Sequence, residues 1–137
     1  MHGRWDVDRI ESSVARDVPD VYFMLPDQGP RHPATTGWIE LKQIPKWGFQ
    51  KYRVTMVPHF TAGQKKWLRE HWEAKANCWL LLHVRMTNEY LFFRGCDAPV
   101  VGDATQGTLY DKAFAVFKGL PTASTIRGIL ESKGRQL

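Results

Sequence analysis

Cysteine is scarce in this chain, and its two cysteines form no metal-binding pattern. Cys78 and Cys96 lack the CxxC spacing of a zinc site or a redox pair. Both fall in or beside apolar, strand-like segments, where free thiols are usually buried. We therefore expect two free, buried thiols that take no part in chemistry, and we expect neither a disulfide nor a zinc site.

Long apolar runs are also missing. No stretch approaches the roughly 18 apolar residues that a membrane-spanning helix needs, and Met1 to Asp8 has no apolar core of the kind found in signal peptides. We expect no membrane association and a cytoplasmic location. The 137 residues, of which 43% are hydrophobic and 24% charged, suit a single globular domain spanning 1–137.

Acidic side chains are few in the middle of the chain. Residues 42–85 carry nine basic and two acidic side chains, whereas residues 1–41 carry four and seven, and residues 86–137 carry six and five. Phosphate groups are bound mainly by Lys and Arg, so this distribution predicts a surface for a polyanion beside a group of carboxylates. A solvated basic helix is the alternative.

Hydrophobic periodicity predicts strands, one central helix, more strands and a last helix. Thr61 and Gln64 have the spacing of a capping box, which begins the central helix. In chain order we expect a short helix or an irregular arm at 5–16, strands at 20–25, 38–44 and 51–57, a helix at 62–75, strands at 78–85 and 89–93, a mixed segment at 108–118 and a helix at 122–133. The fold class is α/β, with a mixed central β-sheet flanked by helices.

Three charged residues combine into a candidate site. Asp20 opens the first of these strands, and Glu40 and Lys42 lie two residues apart in the second, so their side chains project from the same face. If the two strands are neighbours, Asp20 and Glu40 form an oxygen-rich site for Mg²⁺. A cation offsets the repulsion between the carboxylates, and Lys42 positions or helps to deprotonate water for attack on phosphorus. Glu11 is a candidate third carboxylate.

Ordinary structural roles remain open for each of these residues. Glu40 and Lys42 also suit a solvated strand face, because an ExK pair often arises by chance. Asp20 follows a proline and suits a turn, and Gln64 suits a helix cap alone.

The segment "PKWGFQKYR" is the candidate nucleic-acid contact. Cations that meet phosphates alternate in it with aromatic rings that stack on unpaired bases, and lysines and an arginine on the central helix extend the track. The nucleic-acid-binding candidates are Lys46, Trp47, Lys51, Arg53, Lys65, Lys66 and Arg69. Alternatively, the aromatic rings belong to the core and the lysines are solvated surface.

Taken together, these segments resemble a known family. "VPDVYF", a loop and "GWIELK" are similar to the PD-(D/E)XK nuclease signature, with Pro19, Asp20, Glu40 and Lys42 at its motif positions. More narrowly, "RIESSVARDVPDVYF", "GWIELKQIP", "FTAGQKKWLREHW" and "CWLLLHV" resemble small phage-type endonucleases of the VRR-NUC branch. The resemblance covers about residues 5–94 and leaves 95–137 as an extension for which packing is the first expectation. Asp17 stands where the family pattern has glycine.

The resemblance implies a restriction-endonuclease-like core and a hydrolase that depends on Mg²⁺ or Mn²⁺. It implies that Glu11, Asp20 and Glu40 bind metal together with the backbone carbonyl of Leu41. Lys42 takes the catalytic role of activating water, and Gln64 supports the site. It further implies DNA as partner, cleavage of branched or flap-like DNA to 5′-phosphate and 3′-hydroxyl ends, a homodimer, and a role in DNA recombination or repair in the host cytoplasm.

Two other classes of function remain open. The chain could be a non-catalytic nucleic-acid-binding module that keeps the nuclease fold. A nuclease site could instead be built on His59, His71 and His83, although their spacing is not that of metal ligands.

Overall fold

The structure is a computed structural model that describes residues 6–9 and 17–135. A six-stranded mixed sheet, with its strands in chain order, carries helices on both faces. The strands are β1 (Asp6–Arg9), β2 (Val21–Leu25), β3 (Thr35–Ile44), β4 (Cys78–Val84), β5 (Glu89–Arg94) and β6 (Ala115–Lys118), and the helices are α1 (Ala62–Glu73), α2 (Gln106–Lys112) and α3 (Ala123–Ser132). The predicted α/β class is confirmed.

One parallel pair makes the sheet mixed. β3 and β4 run parallel, and every other neighbouring pair is antiparallel. A parallel pair needs a crossover, which α1 supplies between β3 and β4. The segment that carries Glu40 and Lys42 therefore lies in the middle of the sheet and leads towards α1.

The core has two layers because side chains alternate along each strand. In β4, Leu80 and Leu82 pack with Leu68 of α1 and Leu109 of α2 on one face. On the other face, Trp79 packs with Ile129 and Leu130 of α3. Residues 95–135 thus contribute a strand and two helices to the packing, as expected for this extension.

Each helix begins at a threonine cap. Thr61 accepts a hydrogen bond from the Gln64 main chain, and the Gln64 side chain accepts one from Thr61, so the predicted capping box is confirmed. Thr122 caps α3, and the chain turns left-handed at Lys133 and Gly134, where the sequence predicted the end of that helix. No helix within the described part of the chain is long and apolar enough to cross a membrane.

The predicted third strand at 51–57 is wrong. Only Val54 forms an isolated bridge, with Thr105, and the rest of the segment is loop. The sheet consists of β1 to β6, with β3 between β2 and β4, and 51–57 joins none of these strands. The alternation reflects instead a loop in which Thr55 and Val57 are buried and their neighbours are exposed.

Two smaller expectations are also corrected. Asp6–Arg9, expected in a helix or an irregular arm, is a strand that pairs antiparallel with β2, because β2 otherwise ends the sheet. Residues 10–16, including the candidate ligand Glu11, lie outside the described residues. Both cysteines are free as expected, but only Cys78 is buried, since Cys96 lies in the exposed turn after β5.

Gly37 permits the close packing that sets β2 against β3. A Cβ atom at this position would overlap the Asn77 carbonyl oxygen and the ring of Phe23, its partner in the register. We expect Gly37→Ala to lower the free energy of unfolding by about 3 kcal/mol, the upper end of typical overpacking costs, in urea titrations. Gly128→Ala is the control, because a Cβ there meets nothing within 4 Å. Equal stability of the two variants would contradict this account of Gly37.

Candidate metal centre and nucleic-acid surface

The register of β2 and β3 brings the predicted motif residues together. Val21 pairs with Ile39, so Asp20, just before β2, lies opposite Glu40. The Asp20 backbone N–H donates a hydrogen bond to Glu40 Oε1 at 3.1 Å. The predicted proximity of Asp20 and Glu40 is therefore present, and the main chain of one residue holds the side chain of the other.

Glu40 is a buried carboxylate with incomplete hydrogen bonding. Its exposed fraction is 1%, and its Oε2 atom accepts no well-formed hydrogen bond from the described residues. Burial, the largest cause, and the nearby Asp20 carboxylate together raise the pKa of Glu40 to about 7, although Lys42 acts in the opposite direction. The ionised form of Glu40 is thus costly in this structure, and an additional positive charge would stabilise it.

Lys42 lies between the carboxylate and the loop that precedes α1. Its Nζ is 3.2 Å from Glu40 Oε2 and donates to the His59 carbonyl at 2.8 Å. The ammonium also lies over the Phe60 ring, 5.6 Å from the ring centroid. The His59 backbone is left-handed, with φ of 65°, a conformation that residues other than glycine adopt at some cost in energy. The ammonium group is consequently fixed in position rather than free in solvent.

The strand geometry also favours the predicted carbonyl ligand. The Trp38 N–H donates to Asn77 on the β4 side, and the Ile44 carbonyl accepts from Arg85 on that side. Successive residues of a strand direct their N–H and C=O groups to opposite sides, so the Leu41 carbonyl points away from β4. β2 lies on this other side of β3 and pairs with it only as far as Ile39. Asp20 directly precedes β2, so the Leu41 carbonyl points to the side on which Asp20 lies.

Gln64 and Asp17 are placed by the first turn of α1. Gln64 Oε1 accepts a hydrogen bond from the Thr61 N–H at 2.9 Å, so the capping role is present, and the role supporting a metal site stays a prediction. A Cβ at Gly63 would lie 2.6 Å from Asp17 Oδ1, which means that this carboxylate lies against the helix N-terminus. Its charge is favourable there because the helix dipole is positive at that end.

Metal-ligating side chains do not gather into large clusters in the part of the chain that the structure describes. Within residues 17–135, no three His, Cys, Asp or Glu side chains lie close enough together to hold a metal ion. His71 stacks on Trp67 and His83 stacks on Tyr90, so the structure does not bring the three histidines of the alternative site together. The candidate ligands in the described residues are the Asp20 and Glu40 carboxylates and the Leu41 carbonyl.

Basic residues dominate the part of the chain that runs from Lys42 into α1. No Asp or Glu occurs from residue 41 to residue 69, whereas seven Lys and Arg residues do. Of the predicted DNA contacts, Lys46, Lys51, Arg53, Lys66 and Arg69 are exposed. Lys65 is half-buried and pairs with Asp103 at 2.7 Å. Most of the predicted cationic track is thus available to a polyanion.

Trp47 is the exception among the predicted contacts. Its indole is buried, its ring packs on Tyr110, and its Nε1 donates to Glu89 Oε1 at 2.6 Å. The prediction that this ring stacks on a base is therefore wrong, and the core alternative holds for this residue. Phe49, which is 100% exposed, and Tyr52, which is 74% exposed, present the aromatic faces of the segment instead.

Glu89 anchors the loop that follows β3. Its two carboxylate oxygens accept hydrogen bonds from Trp47 Nε1, Thr87 Oγ1 and Tyr110 OH at 2.6 to 2.7 Å. Burial by itself would raise the pKa of Glu89, but these hydrogen bonds outweigh it and the pKa is lowered. Sequence reasoning missed Glu89, Tyr110 and the His59 carbonyl, because each acts through a partner at least 17 residues away and has no local motif.

No protein-family model, curated protein or solved structure matches this chain, so the residues of the site itself carry the functional assignment.

Proposed function

We propose that this chain is a metal-dependent DNA endonuclease with a PD-(D/E)XK-like, restriction-endonuclease-like core. The contact between Asp20 and Glu40, with Lys42 beside the same carboxylate, is the observation that carries the proposal. The three motif residues come from two antiparallel strands, and a crossover helix follows the second strand, as the resemblance to the VRR-NUC branch implies.

The residues present fit a divalent cation such as Mg²⁺ or Mn²⁺. The Glu40 carboxylate is buried, and the neighbouring Asp20 carboxylate makes its ionised form still more costly. With a carbonyl directed to the same side, the two carboxylates form a hard, oxygen-rich donor set. Asp20, Glu40 and the Leu41 carbonyl would hold the ion, and Glu11 stays a predicted further ligand outside the described residues. When bound, such an ion supplies charge neutralisation at the phosphate and lowers the pKa of water.

Lys42 is the group that positions the attacking water. An ammonium has three N–H donors, and contacts with Glu40 Oε2 and the His59 carbonyl fix its orientation without engaging all three. A remaining donor can orient water and interact with the negative charge that develops on the phosphate oxygens. Gln64, one turn into α1, is the proposed supporting residue.

DNA is the proposed substrate because the site lies beside the exposed cations of 46–69. Phosphates meet Lys46, Lys51, Arg53, Lys66 and Arg69, and Phe49 and Tyr52 are available for unpaired bases. This combination suits branched, flap or otherwise structured DNA better than a uniform duplex. Following the resemblance, we propose 5′-phosphate and 3′-hydroxyl products and a homodimer that makes paired cuts.

Cleavage assays on linear, flap and four-way DNA with Mg²⁺ or Mn²⁺ test this function. We expect cation-dependent cuts in at least one branched substrate, and we expect that ligase can reseal the ends. Asp20→Asn is the matched variant, because the hydrogen bond to Glu40 is made by the main chain and survives the substitution. If the wild type binds DNA but is as inert as Asp20→Asn on every substrate, the non-catalytic nucleic-acid-binding module is the correct description.

A further inference from the structure

A pocket lies between the loop that follows β3 and the beginning of α2. Its volume is about 430 Å³, within the range of roughly 300–1,000 Å³ that is typical of small-molecule sites. The residues that line it are Lys51, Tyr52, Thr105, Gln106, Gly107 and Tyr110. None of them is a candidate ligand of the metal centre, and only Lys51 belongs to the predicted cationic track.

One wall of this pocket is rigid. The Tyr110 hydroxyl donates to Glu89 Oε2 at 2.7 Å and accepts from Gln106 Nε2 at 3.1 Å. The Tyr110 ring packs edge-on against the buried Trp47 ring, with the centroids 5.3 Å apart. The aromatic face and the amide of this wall are therefore held in place before any ligand arrives, which reduces the entropy lost on binding.

The opposite wall is cationic and aromatic, and it is tied to the fold at both ends. Lys51 and Tyr52 lie in the loop between the buried Trp47 and Thr55, whose N–H donates to the Ala104 carbonyl at 2.8 Å. Val54 adds the isolated bridge to Thr105. These contacts hold the loop beside the beginning of α2, and the Tyr52 side chain is 74% exposed.

The chemistry of the lining selects the ligand. Two tyrosine rings offer stacking faces, the amide of Gln106 offers donor and acceptor groups for the edge of a base, and Lys51 offers a charge for the adjoining phosphate. No acidic side chain lines the pocket, and none occurs from residue 41 to residue 69. A planar, hydrogen-bonding ring attached to an anionic backbone satisfies all of these groups.

A continuous series of contacts connects the pocket to the candidate metal centre. Lys42 and Lys65 both lie over the Phe60 ring, within 5.6 and 5.3 Å of its centroid. Lys65 pairs with Asp103, and the next two residues, Ala104 and Thr105, hold the loop at the pocket. The pocket and the candidate metal centre are therefore linked through Phe60, Lys65 and Asp103.

We propose that this pocket binds a single unpaired base of the DNA and so selects substrates in which the base stack is interrupted. This inference rests on the proposed function for its choice of DNA, but the pocket is a binding site separate from the residues that carry out hydrolysis.

Filling the pocket tests the inference without any cleavage. Gly107 lines the pocket, and a Cβ there meets nothing within 4 Å, so Gly107→Leu adds volume without a clash at the Cβ. Gly128→Leu is the matched control, because Gly128 also lies in a helix with open space at its Cβ, on α3. Tyr52→Ala is a second test at an exposed side chain whose loss does not threaten folding.

Affinities are measured by fluorescence anisotropy in EDTA, at one salt concentration, for a duplex with one unpaired nucleotide and for the fully paired duplex. We expect the wild type and Gly128→Leu to prefer the unpaired nucleotide by about five- to a hundredfold, the range that one base–aromatic stack supplies. Gly107→Leu and Tyr52→Ala should lose this preference and keep their affinity for the paired duplex within about twofold.

The inference is overturned if Gly107→Leu still prefers the duplex with the unpaired nucleotide, or if the wild type shows no such preference. A change in sedimentation of Gly107→Leu without a change in DNA preference also overturns it, because the pocket would then be an interface between copies of this chain. Since EDTA prevents cleavage, a positive binding result stands even if the nuclease assays fail, and nuclease activity stands even if the pocket has no preference.

Discussion

Lys42→Met should reduce the rate of DNA cleavage by about a thousandfold or more while the affinity for DNA changes by only a few-fold. Positioned proton-transfer groups contribute about 10² to 10⁴ in rate, and a single donor to a developing negative charge contributes about 10² to 10³. Lys42 is well placed for both roles, because its Nζ contacts Glu40 Oε2 at 3.2 Å and its side chain is only 11% exposed. A side chain so enclosed contributes little to the attraction between the surface and DNA.

The control for this prediction must separate lost chemistry from lost folding. Breaking a buried ion pair by removing one partner costs about 3–5 kcal/mol, so Lys42→Met could lose activity by unfolding. The double variant Glu40→Gln/Lys42→Met removes both charges and should melt closer to the wild type while staying inactive. Lys66→Met, at an exposed lysine on α1, should keep the rate of cleavage at saturating DNA and weaken binding modestly. If Lys42→Met is folded and cleaves within tenfold of the wild type, the assigned role of Lys42 is wrong.

The metal-free protein should become less stable as pH rises from about 4.5 to about 7. The pKa of Glu40 is raised from 4.5 to about 7 by burial, with Asp20 adding to the shift and Lys42 opposing it. Between these two values the folded state binds more protons than the unfolded state, so the free energy of unfolding falls as pH increases. The stability that protonated Glu40 contributes is complete below about pH 4.5 and is lost by about pH 7. The whole decrease amounts to about 3 kcal/mol, because one pKa unit corresponds to about 1.4 kcal/mol.

Urea titrations at pH 4.5 and pH 8 in EDTA measure this decrease. The same titrations on Glu40→Gln isolate the contribution of Glu40. For each protein the free energy of unfolding at pH 8 is subtracted from that at pH 4.5, which removes any pH-independent effect of the substitution. We expect the decrease to be about 3 kcal/mol larger in the wild type than in Glu40→Gln. Saturating Mg²⁺ at pH 8 should restore much of the lost stability in the wild type alone, since a ligand at a hundred times its Kd adds about 2.7 kcal/mol. Parallel pH profiles in the two proteins would show that Glu40 does not titrate in this range.

The elements with strong local signals were predicted correctly. The capping box joins Thr61 to Gln64, three residues on, and the helix that it begins and the strands on either side of residue 86 have short local patterns of their own. The alternation of Glu40 and Lys42 with Ile39 and Leu41 also fixed which side chains share a face of β3. The segment 51–57 alternates in the same way although it is a loop, because the burial of Thr55 and Val57 depends on distant parts of the chain, such as the Ala104 carbonyl that accepts from Thr55.

The candidate site divides in the same way. The sequence by itself determined which residues form the candidate site, because Asp20, Glu40 and Lys42 lie in or beside short strand patterns whose periodicity sets their direction. Tertiary structure decided the surroundings of these residues. It buries Glu40, raises its pKa, fixes Lys42 on the His59 carbonyl and turns Trp47 into the core, and it thereby leaves Tyr52 exposed over the pocket. Burial and electrostatic interaction depend on every group that surrounds an atom, and those groups come from distant parts of the chain.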